Sequence, residues 1–145
     1  MGSIRIKCQL RYSVDHVWAT LTDTDALSNW LMPNDFQPVE GHSFEFISFQ
    51  APGFSGAVDC KVLKVDQCET LSFAWRSGDL DSVVSIKLRP NKRGTEMRLH
   101  HSGFEWGDWI SFLSHTVRWH HSIKFKLPES LRDQAGHLQT HPASF

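Results

Sequence analysis

The sequence predicts an α+β fold: an antiparallel sheet of about six strands, two short helices after the first strand, and one long amphipathic helix near the C-terminal end. Three observations carry this. Apolar and polar residues alternate with period two in residues 4–10 and again in runs between residues 41 and 104. Turn-prone clusters (Asp66-Gln67-Cys68-Glu69, Ser77-Gly78-Asp79 and Asn91-Lys92-Arg93-Gly94) separate the later runs, as hairpins require. After Gly107 and Asp108 the period becomes helical and stays so to Leu127.

The elements follow in order. Ile4, Ile6, Cys8 and Leu10 alternate with Arg5, Lys7, Gln9 and Arg11, a strand with one buried face. Ser13 is placed to cap a helix, with Asp15 near its positive end, and Val14, Val17, Trp18 and Leu21 form its apolar stripe. Thr22 or Asp23 caps a second short helix carrying Ala26, Leu27 and Trp30, which Pro33 stops. Phe44 and Phe46 share a strand face; Gly56, Val58, Cys60 and Val62, then Leu71, Phe73 and Trp75, continue the meander. Val84, Ile86 and Leu88 pair across the last turn with Met97, Leu99 and His101. Counted at ~100° per residue, Trp109, Leu113, Thr116, His120, Ile123 and Leu127 stack on one helix face, flanked by Phe112 and Val117. That helix is expected from Asp108 to Lys126 and to end or kink before Pro128. It is the only element large enough to cover the sheet. Residues 1–132 read as one domain, and the polar, aperiodic residues 133–145 as a flexible tail.

Composition narrows the function. The 145 residues suffice for a real core, and 15 Lys plus Arg against 16 Asp plus Glu give no bulk field for nucleic acid. No run approaches the ~18–20 apolar residues of a membrane span. Three cysteines, Cys8, Cys60 and Cys68, lack metal-ligand spacing and read as reduced thiols of a cytoplasmic protein. The unusual number is aromatic: six Trp and ten Phe against one Tyr, large apolar bodies suited to a core or a cavity wall.

The run from Ser13 to Phe46, with Ser-Val-Asp-His-Val-Trp-Ala-Thr-Leu-Thr-Asp passing into Ala-Leu-Ser-Asn-Trp-Leu-Met-Pro, Gly41, Phe44 and Phe46, has an echo downstream in Gly94 to Phe104. Together they resemble the START-like superfamily called SRPBCC, and within it the branch named after the heat-shock-protein-90 ATPase activator homologues. The resemblance covers roughly residues 4–127. It implies the helix-grip (START/Bet v-like) fold, a sheet curved around the long helix and enclosing an apolar pocket.

Catalytic signatures are missing from the sequence: it has no Gly-rich phosphate loop, Gly-x-Ser-x-Gly elbow or His-Glu-x-x-His. Ser102-Gly103 ends a strand and reads as turn chemistry. The adjacent pairs His100-His101 and His120-His121 diverge on a strand or helix, and His137-x3-His141 supplies only two ligands, so neither metal nor cofactor is expected. The residues expected to line a ligand site are Trp30, Phe44, Phe46, Trp75, His101, Phe104, Trp109, Phe112, Leu113, Thr116 and His120. For the aromatic ones, core and cavity wall are the same residues. His101 occupies the histidine of the family's strand-ending Leu-x-His-x-Gly pattern, and His120 sits mid-stripe on the helix. Both are read either as satisfied core histidines or as the polar contacts that orient a ligand.

Three functions follow from this reading. The first is binding of an apolar or aromatic small molecule, the class of ligand the resemblance implies. The second is a co-chaperone-type interaction module, set lower because the co-chaperones of that name carry a further N-terminal domain. The third is a polyketide cyclase or aromatase-like enzyme, whose only polar candidates would be His101, Thr116 and His120. A homodimer is left open.

Overall fold

The computed structural model describes residues 2–47 and 57–140. Strand β1 (Gly2–Leu10) leads into helix α1 (Val14–Thr22) and helix α2 (Thr24–Trp30). Strands β2 (Ser43–Ile47), β3 (Ala57–Asp66), β4 (Thr70–Ser77), β5 (Leu80–Asn91) and β6 (Gly94–Phe104) follow. A single 3-10 turn, Trp106–Asp108, opens a helical run made of α3 (Trp109–His121), a π-helical segment (Ser122–Lys126) and α4 (Leu127–Thr140). The six strands form one curved antiparallel sheet in the order β1-β6-β5-β4-β3-β2, the helix-grip arrangement. Gly56, expected in the third strand, lies outside the described residues.

The sheet order explains the connections. β2 to β6 are successive neighbours and need only hairpins, whereas β1 pairs with β6 at the opposite edge from β2. The chain must therefore cross the whole sheet between β1 and β2, and α1 and α2 make that crossing. Ser13 caps α1, its Oγ accepting from the His16 amide at 3.2 Å, and Asp23 caps α2 by accepting from the Ala26 amide at 2.9 Å. Beyond α2, Asn34 bridges Phe46 of β2 and accepts from the Phe36 amide at 2.9 Å, which pins the end of α2 to the sheet.

Hairpin registers match the alternation in the sequence: Val84 faces His101, Ile86 faces Leu99 and Leu88 faces Met97. At the start of β6, Gly94 has φ +130°, and a Cβ there would run into the backbone of Leu10 and Tyr12. Only glycine lets β1 close on β6 at that point.

The long helix corrects the expected phase. His115 and Trp119 are buried, together with Ile123, Leu127 and Leu131. Trp109 is 56% exposed, Leu113 58% and Val117 65%, and His120 is also exposed. The cause is the π-helical segment. Its i→i+5 bonding turns each residue through less than the α-helical angle, so about one residue of phase accumulates across Ser122–Lys126. A face drawn back at ~100° per residue from Leu127, beyond that segment, lands on Trp109, Leu113, Thr116 and His120, whereas Ile123, at its start, is in phase with Phe112 and Trp119. Pro128 neither ends the helix nor breaks it. It lies just after the π-helical segment, whose widened hydrogen-bond pattern already interrupts the i→i+4 ladder that a proline cannot join. The backbone remains helical to Thr140, where the sequence suggested a loose tail beyond Arg132.

Candidate functional site

The inner face of the sheet presents a continuous cluster of rings. Phe44 and Phe46 of β2, Phe73 and Trp75 of β4, and His101 and Phe104 of β6 are all nearly fully buried. They stack in sequence: Phe44–Phe46 at 5.3 Å between centroids, Phe46–Trp75 at 5.5 Å, Trp75–His101 at 5.3 Å and His101–Phe104 at 4.8 Å. From the helix, Trp119 meets Trp75 at 5.5 Å, His115 meets Phe104 at 5.5 Å, and Phe112 meets Phe104 at 5.3 Å. Trp30 of α2 completes the cluster at 6.5 Å from Trp119. These tilted and edge-on contacts are those that ring quadrupoles favour.

A polar network runs through the rings. The Trp119 indole N–H donates to His101 Nδ1 at 2.9 Å, so that nitrogen is the acceptor and the proton of a neutral ring sits on Nε2. His101 Nε2 then donates to Ser82 Oγ at 2.8 Å, and the Ser82 hydroxyl donates to the Trp75 carbonyl at 2.8 Å. In a second branch the Trp75 indole donates to His115 Nε2 at 3.1 Å, which fixes the His115 proton on Nδ1, 2.7 Å from the Ser111 carbonyl. Two tryptophans, two histidines and a serine thus satisfy one another inside an apolar interior, the condition under which buried polar groups are tolerated.

Electrostatics agree with neutral rings. Burial, with smaller contributions from His115 and His100, pushes His101 down to about 2 from 6.5. Burial also lowers His115 to about 4, against the opposing pull of its backbone bond to Ser111.

One polar atom in this cluster has no partner. Trp30 is 1% exposed, and its indole Nε1 finds no hydrogen-bond acceptor in the protein. A buried orphan donor costs on the order of 1–3 kcal/mol.

The structure brings together seven of the expected site residues: Trp30, Phe44, Phe46, Trp75, His101, Phe104 and Phe112. It separates four. Trp109, Leu113 and His120 point outward, and the Thr116 hydroxyl donates to the Phe112 carbonyl at 2.7 Å, a contact local to its own helix. Sequence reasoning missed His115, Trp119 and Ser82. The first two were visible as an i, i+4 pair in register with Phe112 and Ile123, and the stripe drawn through Trp109, His120 and Leu127 hid them. Ser82 gives no sequence signal beyond its place on the inner face of a strand. Among the described residues no group of three or more His, Cys, Asp or Glu could hold a metal, and no helix is long and apolar enough to cross a membrane. The thiol of Cys60 is pushed far up by burial and then by Asp59, which keeps it unreactive.

Residues 11–130 match the family described as Activator of Hsp90 ATPase homolog 1-like protein. Among solved structures, protein MLL2253 from Mesorhizobium loti is 30% identical, with a TM-score of 0.83 over 90% of this chain and 97% of that one. Protein BH1534 from Bacillus halodurans is 24% identical, with a TM-score of 0.74 over 89% of this chain and 96% of that one. DynU16, from the dynemicin biosynthetic locus, is 19% identical with a TM-score of 0.74; the match covers 90% of this chain and 47% of DynU16. The last two show the shared fold alone. No curated protein matches the chain.

Proposed function

The chain belongs to the Activator of Hsp90 ATPase homolog 1-like family, and on that premise we propose that it binds a hydrophobic or aromatic small molecule between its sheet and its long helix. The observation that carries this reading is the Trp30 indole, a buried donor with no protein acceptor at the edge of an aromatic cluster whose other described polar groups are engaged. A ligand carrying a carbonyl, phenol or ether oxygen would relieve that donor while its rings extend the stack from Trp119. Apolar surface contributes roughly 25 cal/mol per Å² buried, and the single hydrogen bond would set orientation. Because His101 and His115 are held neutral, a neutral ligand fits better than an anion.

The same network argues against turnover. Both nitrogens of His101 and of His115 are committed to protein partners, and His120 and Thr116 face elsewhere, so among the described residues of the cluster no free acid or base is aimed at a reacting atom.

The test is a titration of flat aromatics, phenols and fatty acids against tryptophan emission and melting temperature, run on the wild type and on Trp30→Phe. A phenolic ligand is expected to bind the wild type and to lose roughly tenfold in the variant, the worth of one buried hydrogen bond. If no compound changes emission or melting, the interior is filled core and the reading fails.

One observation favours a second reading, a protein-interaction module. Trp106 is 80% exposed and lies beside the outward Trp109, Ile110, Leu113 and Val117, a contiguous apolar strip on the solvent side of α3. Strips of this kind mark interaction surfaces. Stimulation of a chaperone ATPase by the wild type and its loss in Leu113→Asp would establish this reading.

A further inference from the structure

The outer face of the sheet, away from the helix, carries a cleft of about 620 Å³ lined by Arg5, Lys7, Ser85, Lys87, Arg98 and His100. Cross-strand register shows how it is built. Lys7 of β1, Arg98 of β6 and Lys87 of β5 stand directly opposite one another in one row. Arg5, His100 and Ser85 form the next row on the same face. Like charges directly opposite in adjacent strands destabilise a sheet, and here three occur side by side. A single carboxylate offsets them: Glu96 accepts from Lys7 Nζ at 3.1 Å and from Arg98 Nε at 3.3 Å. Among the described residues Lys87 has no carboxylate partner, and Arg5 reaches only the Ser3 hydroxyl at 3.3 Å. His100 lines this cleft, and its Nε2 is buried without a hydrogen-bond partner. The chain as a whole carries a formal charge of −1, so the cluster is a local concentration and not the edge of a basic protein.

We propose that this cleft binds a soluble small molecule bearing two neighbouring phosphates, such as a diphosphate. The dimensions suit it. Three strands at about 4.8 Å spacing make the first row roughly 10 Å wide, and the second row lies one dipeptide repeat away, about 7 Å. One anionic group cannot reach both rows, whereas two linked ones can. Arg98 and Arg5 offer planar forks for phosphoryl oxygens, and Lys7 and Lys87 act as point charges at the rim. Small Ser85 leaves the second row open beside His100. The cleft volume is that of a small-molecule site. The exposed tryptophans that would anchor the protein at a lipid surface, Trp106 and Trp109, belong to the helical side of the molecule, which favours a soluble ligand over a membrane headgroup.

The site is independent of the interior, so its test does not depend on the reading above. Inorganic pyrophosphate is titrated calorimetrically at low and physiological salt into the wild type, the double variant Lys7→Gln/Lys87→Gln, and the control Arg76→Gln at the far end of the same face. The expected result is saturable one-site binding that weakens with salt, at least about tenfold weaker in the double variant and unchanged in the control. The double variant removes the repulsion along the row together with the exposed Lys7–Glu96 pair, so it should melt close to the wild type; a melting curve on each sample verifies that the comparison is between folded proteins. Phosphatidylcholine vesicles doped with phosphatidylinositol phosphates form the second arm. Absence of pyrophosphate binding, equal affinity in the double variant, or binding to vesicles alone would each overturn the proposal.

Discussion

The buried histidines make stability depend on pH in a predictable direction. His101 and His115 fall from 6.5 to about 2 and about 4 in the folded protein because the interior disfavours their charged forms. Above pH 6.5 both states hold neutral rings and nothing is lost. As pH falls below 6.5 the unfolded chain takes up a proton at each ring and the folded chain does not, so stability drops. Each such proton contributes a slope of about 1.4 kcal/mol per pH unit, so at about pH 5.5 the two together have cost about 3 kcal/mol. For a domain of this size that is a fall of roughly 10 °C in melting temperature. The assay is urea unfolding of the wild type and of His115→Gln between about pH 7.5 and pH 5. Glutamine can still accept from the Trp75 indole but does not titrate, so the variant's slope should be shallower by about 1.4 kcal/mol per pH unit below pH 6. Identical slopes in the two proteins would show that His115 is not held neutral by burial, and would refute the network's tautomer assignment with it.

Further expectations concern packing and backbone. Trp109→Asp and Leu113→Asp should each leave stability within about 0.5 kcal/mol of wild type, because both side chains are mostly exposed; paired urea curves decide it. Trp119→Phe keeps a ring but strands His101 Nδ1 without its donor, and should cost about 1–3 kcal/mol by the same measurement. Gly94→Ala should cost more than about 1 kcal/mol, since it adds φ strain to a collision with backbone that cannot yield. Thiol labelling of the native protein should leave Cys60 unmodified until unfolding, given its burial and raised pKa.

Much of this architecture was legible because each element carried a local signal. Period-two alternation gave the strands, and the hairpin clusters fixed the register that pairs Val84 with His101. Ser13 and Asp23 announced their helices through capping chemistry. The cluster on the sheet side of the interior was readable for the same reason, since the inner face of a strand follows from parity alone. The helix side was not. A π turn is a change in hydrogen-bond pattern, and this one falls where Ile123 and Leu127 are buried in a stretch that packs on α1 and α2. No composition rule places it, and a phase carried across it exchanges Trp119 for His120 and His115 for Thr116. The Trp119–His101–Ser82 relay is likewise a product of three elements meeting, and no spacing along the chain encodes it.

The central claim is that the interior accepts a ligand through the Trp30 indole. The most direct measurement is a proton–nitrogen NMR titration of the six tryptophan indole N–H groups with a flat phenolic ligand. The account predicts that the Trp30 resonance, assigned by its disappearance in Trp30→Phe, moves downfield in a saturable manner as it gains an acceptor. The Trp75 and Trp119 indoles, already bonded to His115 and His101, should shift far less. A Trp30 resonance that stays in place across the aromatic and fatty-acid panel, or moves only when the protein unfolds, would contradict it.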